Sequence, residues 1–178
     1  MKEVTIFARA GQGAITTAAI LGEALFYEDK YTYAFPHFGA ARMGAAMNAF
    51  LRFDSKPVRM RSKVYEPDYI IVVDPTLIEG GKVFSGIKKG GKAILAARET
   101  IPQYKESGIE VYSLLAEKIA QDIIGKPFAN TVLLGAFAKV TGEVKLDSIL
   151  RAVKMRFEGK PQVAEKNLQA VRKGYDSV

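Results

Sequence analysis

The chain has 178 residues (19.5 kDa) and is 48% hydrophobic, enough to bury a core within one domain, and it contains no cysteine, which excludes a disulfide framework and thiolate ligands for zinc or an iron–sulfur cluster. A formal charge of +7 and a pI near 9.5 direct it toward anionic partners, yet no nucleic-acid module and no run of aromatics among basic residues accompanies that charge, so nucleic acid is set aside. Lys2, Glu3 and Thr5 interrupt any leader, and no apolar run approaches the roughly 18 residues that span a bilayer, so no membrane association and a cytoplasmic location are expected.

The first predicted element is a short apolar strand, residues 4–8. It runs into the loop Arg9-Ala10-Gly11-Gln12-Gly13, and residues 14–25 follow with helical composition and spacing. A second strand is expected over residues 31–35, closed by Pro36, before a glycine-rich loop extending to Gly44. Residues 45–53 and 57–62 read as two strands joined by the turn Asp54-Ser55-Lys56, a hairpin-like pair. Residues 69–73 form a β-branched run, the mark of a strand covered on both faces, and Asp74-Pro75 introduces a helix from Thr76. Strands at 92–96 and 109–112 repeat the pattern. Helices are expected at 113–124, 131–140, 146–156 and 161–175. Alternating strands and helices predict a single α/β domain over residues 1–178, a three-layer Rossmann-like arrangement with a mostly parallel, mixed sheet and helices on both faces.

Several residues are candidates for chemistry. Arg9, Gly11, Gln12 and Gly13 lie where a strand ends and a helix begins, where free N–H groups and the helix dipole favour an anion. Thr16 occupies the third position of the dinucleotide fingerprint, and Glu28 and Asp29 precede the second strand instead of ending it, so ligand contact and a mere tight turn both stay open. His37 is the only histidine and has no assignable nucleophile or orienting acid, which favours a structural or interface role and leaves the catalytic residue unassigned. A lone histidine without cysteines also makes no metal site. Arg59 and Arg61, two apart, share one face of a strand, with Arg52 across the hairpin; they clamp a carboxylate or phosphate, face a partner's acidic surface, or form a solvated face. Asp74 is read as a helix cap, Asn130 as another, and Gly135 as a point of close backbone approach. Ala164, Leu168, Val171 and Tyr175 form one apolar stripe on the last helix, sealing the domain.

The order of motifs adds a resemblance. Arg9-Ala10-Gly11-Gln12-Gly13, Tyr33-Ala34-Phe35-Pro36-His37-Phe38-Gly39, Arg42-Met43-Gly44-Ala45, Pro57-Val58-Arg59-Met60-Arg61-Ser62, Glu66-Pro67-Asp68 and Val73-Asp74-Pro75-Thr76-Leu77, continued by Asn130-Thr131 and Leu134-Gly135-Ala136, resemble the gamma subunit family of pyruvate, 2-ketoisovalerate and 2-oxoglutarate:ferredoxin oxidoreductases. The sequence departs from the family at Ala41, where an acid is common, and at Met43, while Arg42 is retained.

The resemblance implies a subunit that is inactive alone. The complex of such enzymes, associated with anaerobic metabolism and pyruvate synthase activity, oxidatively decarboxylates a 2-oxoacid to an acyl-CoA and passes electrons to ferredoxin. Thiamine diphosphate, Mg and iron–sulfur clusters are then expected on the alpha, beta and ferredoxin-like delta subunits, with coenzyme A as co-substrate. Arg9, Gly11, Gln12 and Gly13, with Arg42, Arg59 and Arg61 behind them, are the expected contacts to coenzyme A. The isolated chain is left with an empty or self-paired interface, a homodimer in the second case. Two other readings accommodate the same residues: a non-catalytic assembly module of that complex, and a stand-alone dinucleotide-binding protein.

Overall fold

The computed structural model describes residues 1–37, 44–78, 82–97, 104–106 and 108–178. Strand β1 (Lys2–Arg9) sets the plan. Its Val4, Ile6 and Ala8 are fully buried on one face, and Thr5 and Phe7 alternate onto the other. Helix α1 (Ala14–Phe26) returns over the first face with Ala14, Ala18, Leu21 and Leu25 inward, and the chain enters β2 (Tyr31–His37) and β3 (Ala46–Asp54). β3 lies between β2 and β1 and is antiparallel to both. β4 (Tyr69–Val72), β5 (Lys92–Ala96) and β7 (Ile109–Leu114) extend the sheet in parallel from β1, and the short β6 (Tyr104–Glu106) closes the far edge antiparallel to β7.

The sheet order is β2-β3-β1-β4-β5-β7-β6, and five of the seven strands share one direction. The expected mixed, mostly parallel α/β sheet is therefore present; where helices were expected on both faces, the α-helices lie on one and short 3-10 turns cover the other. Helices α1, α2 (Ala116–Ile124), α3 (Asn130–Thr141), α4 (Leu146–Arg156) and α5 (Pro161–Asp176) gather on one face around a single apolar cluster. The other face carries a smaller cluster of Ile70, Val72, Val83, Ala93, Leu95 and Val111, covered by the 3-10 turns Pro75–Leu77 and Lys82–Phe84. Central β4 touches both clusters, Ile71 on the helical side and Ile70 and Val72 on the other. Each such fully buried side chain contributes roughly 1.5–3 kcal/mol over an exposed one.

Three expectations are corrected. Residues 57–62 are not a strand, because β2 and β1 already pair with both edges of β3 and leave no hydrogen-bonding position beside it. The Asp54 carboxylate accepts from the Lys56 amide at 3.2 Å and turns the chain, which then crosses the helix-poor face as irregular backbone. β2 continues through Pro36 to His37: an edge strand tolerates a residue without an N–H. After Asp74 the described residues form a 3-10 turn, Pro75–Leu77, in place of a longer helix. β6 was not anticipated from the sequence.

Helix α5 lies across α3, and the fit depends on two glycines. A Cβ at Gly135 would come within 1.9 Å of the Val171 carbonyl oxygen, and one at Gly174 within 1.9 Å of the Val132 carbonyl oxygen. Both clashes are with backbone, which has no rotamer to relieve them. The stripe Ala164, Leu168, Val171 and Tyr175 packs inward as expected, and Thr131 Oγ1 donates to Asn167 Oδ1 at 2.9 Å beside it. Gly135→Ala is expected to force the helices apart at a cost of ~3 kcal/mol. Thermal denaturation should then show a midpoint about 10 °C lower, since 1 kcal/mol moves a chain of this size by roughly 2–4 °C; an unchanged midpoint would refute the crossing as described.

Candidate functional site

β1 and β4 run in parallel with Phe7 opposite Val72, so two residues further on Arg9 and Asp74 leave the carboxyl edge of the sheet side by side. The backbone must reverse sharply there to enter α1, and Gly11 (φ 101°) and Gly13 (φ 87°) supply the left-handed conformations that this turn requires. At Gly13 space is also short, since a Cβ would lie 3.0 Å from Asn130 Nδ2. Gln12 braces the turn: its Oε1 accepts from the Arg9 amide at 2.7 Å and its Nε2 donates to Asp74 Oδ2 at 2.6 Å.

Asp74 is the hub of this rim. Its Oδ1 accepts from the Thr76 amide (2.8 Å) and the Thr76 hydroxyl (2.6 Å), which makes it the cap that the sequence suggests, and its Oδ2 lies 3.4 Å from Arg9 Nε. Arg9 completes the cluster by donating through Nε (3.1 Å) and Nη2 (2.8 Å) to the Thr76 hydroxyl and through Nη1 to the Gly44 carbonyl (3.2 Å). Burial pushes the Asp74 carboxyl up, but donors from Thr76 and Gln12 and the Arg9 charge outweigh it and hold the group below the usual carboxylate range.

Behind this rim lies a cleft of about 420 Å³ between the glycine turn, the end of α2, the start of α3 and the first half of α5. Gly11, Gln12, Gly13 and Thr16 form one wall, with Asn130, Gln162 and Asn167 facing it, Ile124, Phe128 and Phe157 supplying apolar surface, and Lys126 and Lys166 supplying charge. No carboxylate is among the lining residues. Helix α1 opens onto this cleft with no side-chain cap and no acidic residue in its first turn, so its N-terminal partial positive charge is not offset by its own side chains.

Of the residues predicted from sequence, Gly11, Gln12 and Gly13 line the cleft, while Arg9 is engaged with Asp74 and Thr76 at its back. Arg42, like Ala41 and Met43, lies outside the described residues. Arg59 and Arg61 are exposed on the irregular segment; Arg61 lies over the Tyr33 ring at 4.0 Å and donates to the Val58 carbonyl at 2.9 Å. Arg52 does not join them as a surface cluster. It is buried (1% exposed) and its Nε donates to Glu3 Oε1 at 2.7 Å, while Nη1 reaches the Ser62 carbonyl (2.5 Å) and Nη2 the Lys63 carbonyl (3.2 Å). His37 is exposed at the end of edge strand β2, its ring 5.9 Å from that of Phe50.

Asn130 is a correction. Ala129 is the residue before α3, Asn130 is its first helical residue, and no side chain caps the helix. The cleft residues Lys126, Gln162, Lys166 and Asn167 were not singled out from sequence, because they come from segments far from the glycine turn. The available signal was Asn167, a buried polar residue set among the apolar positions of α5.

Comparison with known proteins places these features. The family model described as "Pyruvate ferredoxin/flavodoxin oxidoreductase" matches residues 3–177. The pyruvate synthase subunit PorC of Methanothermobacter thermautotrophicus is 43% identical over 178 residues, covering 100% of this chain and 96% of that protein. The pyruvate/ketoisovalerate oxidoreductases common subunit gamma of Pyrococcus furiosus is 43% identical over 180 residues, covering 99% and 96%. The crystal structure of the pyruvate oxidoreductase subunit PORC of Thermotoga maritima superposes with a TM-score of 0.86 at 31% identity, covering 99% of this chain and 96% of that one.

The depressed carboxyl of Asp74 gives a prediction with a definite sign. A carboxyl whose folded pKa lies below its unfolded value near 3.9 stabilises the fold above that value, and the stabilisation is lost as pH falls through the folded pKa. Asp74→Asn is expected to lower stability at neutral pH by about 1–3 kcal/mol and to flatten its decline below about pH 4. Urea midpoints measured from pH 7 down to pH 2 check this; an identical acid slope in the variant would remove Asp74 from the role.

Proposed function

The chain belongs to the gamma subunit family of pyruvate and related 2-oxoacid:ferredoxin oxidoreductases, and from that premise we propose that its cleft is where the complex holds coenzyme A. A gamma subunit of this family is part of an oxidoreductase acting on the oxo group of its donor with an iron–sulfur protein as acceptor. The reaction proposed for the whole complex is oxidative decarboxylation of a 2-oxoacid to an acyl-CoA, with electrons passed to ferredoxin. With no cysteine, this chain supplies no thiolate to a cluster. From the family resemblance, thiamine diphosphate, its Mg and the clusters are proposed on alpha, beta and ferredoxin-like delta subunits.

The observation that carries the reading is a cleft at the uncapped start of α1, lined by Lys126 and Lys166 and by no carboxylate. Coenzyme A offers what such a site accepts: phosphates for the lysines and the helix terminus, and a largely neutral arm for the amides of Asn130, Gln162 and Asn167 and the faces of Phe128 and Phe157. The volume of about 420 Å³ is within the roughly 300–1,000 Å³ usual for cofactor-sized ligands. Gly11, Gln12 and Gly13 contribute close backbone approach. Arg9 acts as a positioning residue, fixing the turn through Thr76 and Asp74. The dinucleotide reading is not favoured, because β2 ends at exposed His37 where that class of site places a ribose-binding carboxylate.

In the assembled complex, Lys166→Glu is expected to raise the Michaelis constant for coenzyme A at least ten-fold, with turnover at saturating coenzyme A largely retained. A lost charge-assisted contact of about 1.5–3 kcal/mol accounts for that factor. Steady-state kinetics with coenzyme A varied at fixed oxoacid provides the measurement. An unchanged Michaelis constant would transfer the chain to the second reading, an assembly module without a ligand of its own.

A further inference from the structure

The helix-poor face of the sheet carries a second constructed surface, distinct from the cleft. Along β2 the side chains of Tyr33, Phe35 and His37 share one face, since Thr32 and Ala34 lie against Gly22 of α1 on the other. Register sets Tyr33 beside Arg52, Phe35 beside Phe50 and His37 beside Asn48. The rings form a ladder: Tyr33 stacks on Phe35 at 4.9 Å, and Phe35 meets Phe50 at 5.2 Å. Tyr33 and Phe35 are only half-buried, and Tyr31 at the head of the strand is exposed.

Above this ladder runs the irregular segment of residues 55–67. It has no ladder hydrogen bonds, yet it is held firmly. Buried Arg52 donates from below to the carbonyls of Ser62 and Lys63, with Glu3 neutralising its charge. Gly86 packs from the side so closely that a Cβ there would lie 2.3 Å from the Tyr65 carbonyl oxygen, and the Lys88 amide donates to the Pro67 carbonyl at 3.0 Å. Fixed in this way, the segment turns Arg59, Met60, Arg61, Lys63 and Tyr65 outward, with Met60 and Tyr65 48% and 72% exposed. Between this segment and residues 82–86 lies a pit of about 250 Å³, floored by Thr5, Phe7, Asn48 and Phe50 and flanked by Lys63 and Lys82.

Arginine, tyrosine and methionine are the residues enriched where proteins dock, and ordering a segment in advance lowers the entropy lost on binding. The pit is smaller than the roughly 300 Å³ at which cofactor sites begin, while the outward side chains continue well beyond it. A flat, extended, pre-ordered surface suits a polypeptide better than a small molecule. Its charge selects among polypeptides: residues 56–66 hold Lys56, Arg59, Arg61 and Lys63 against the single acid Glu66.

We propose that the face formed by β2 and residues 55–67 docks an acidic surface of a neighbouring subunit, with a partner carboxylate entering the pit between Lys63 and Lys82. The inference rests on the reading of this chain as a gamma subunit, and it assigns subunit docking and ligand binding to opposite faces of the sheet.

The test uses the complex purified through a tag on this chain. A zero-length carbodiimide reagent, which joins amines to carboxylates in direct contact, is expected to couple Lys63 or Lys82 to Asp or Glu of another subunit, identified by peptide mass spectrometry. Arg59→Glu with Arg61→Glu changes exposed side chains, and losing the Arg61 contact over Tyr33 should lower the melting midpoint by no more than about 4 °C, so the double variant should still fold. It should bind the remaining subunits at least ten-fold more weakly, and the wild-type affinity should fall with added salt. Unchanged affinity with no coupling to another subunit overturns the proposal. Unchanged affinity with a raised Michaelis constant for coenzyme A also overturns it, making the face a small-anion site. Coupling only between two copies of this chain makes it a self-association surface, again against the proposal. A failed Lys166→Glu experiment leaves these readouts untouched, so the two readings fall separately.

Discussion

The crossing of α5 over α3 is the contact on which the cleft depends. Two helices approach backbone to backbone only where neither carries a side chain at the crossing, and Gly135 and Gly174 meet that requirement reciprocally, each against a carbonyl of the other helix. Such contact admits Cα–H···O attraction and dense packing that larger residues would prevent. It also fixes where α5 can lie. Its first half then projects over the glycine turn, and Lys166 and Asn167 come to face Gly13 across a gap that neither helix would form alone. The Thr131–Asn167 hydrogen bond, buried beside the crossing, sets the rotation of α5 and so the direction of its polar face.

Two buried charged residues, Arg52 and Asp74, hold the remaining irregular backbone. Burying a charge costs several kcal/mol unless it is paired and hydrogen-bonded, so neither is an economical way to gain stability. What each provides is a defined loop shape. Arg52 gathers the carbonyls of Met60, Ser62 and Lys63, which have no ladder partner, and Glu3 balances it; Lys88 in turn bridges Glu3 and Asp68, at 3.9 and 2.9 Å. Asp74 gathers donors from Gln12, Thr76 and Arg9 at the opposite rim. Both fasten segments that would otherwise sample many conformations, and a surface ordered before its partner arrives binds without that entropic cost.

Much of this architecture was legible in the sequence because its cause is local. The β-branched run of β4 announces a strand buried on both faces, Gly11 and Gly13 announce the turn, and Asp74 before Pro75 announces a cap; the structure has each in place. Gly135 likewise announced a close approach, though not its partner. The failures are those of context. Residues 57–62 have strand-like composition, but whether a segment becomes a strand depends on a free sheet edge, and β3 had none to give. Arg52 looked like a surface arginine because its type is usually exposed, and only pairing across β1 to Glu3 makes its burial tolerable. The cleft was half visible: the glycine turn is contiguous in sequence, whereas Lys126, Asn130 and Lys166 reach it only through helix packing.

Among the described residues, the carboxylates at the centres of the two clusters serve to hold backbone. Asp74 and Glu3, the two carboxylates at the centres of these clusters, are occupied by cationic and N–H or O–H donors, so neither is placed to take a proton from a substrate. His37, the only histidine of the chain, stands exposed at a strand end against an aromatic ring. What the described surface offers instead is cationic charge, carried by lysines around the cleft and by arginines and lysines around the aromatic ladder. Screening at physiological ionic strength extends about 8 Å, less than the roughly 10 Å between packed layers, so an anion held on one face of the sheet has little effect on the charge presented by the other.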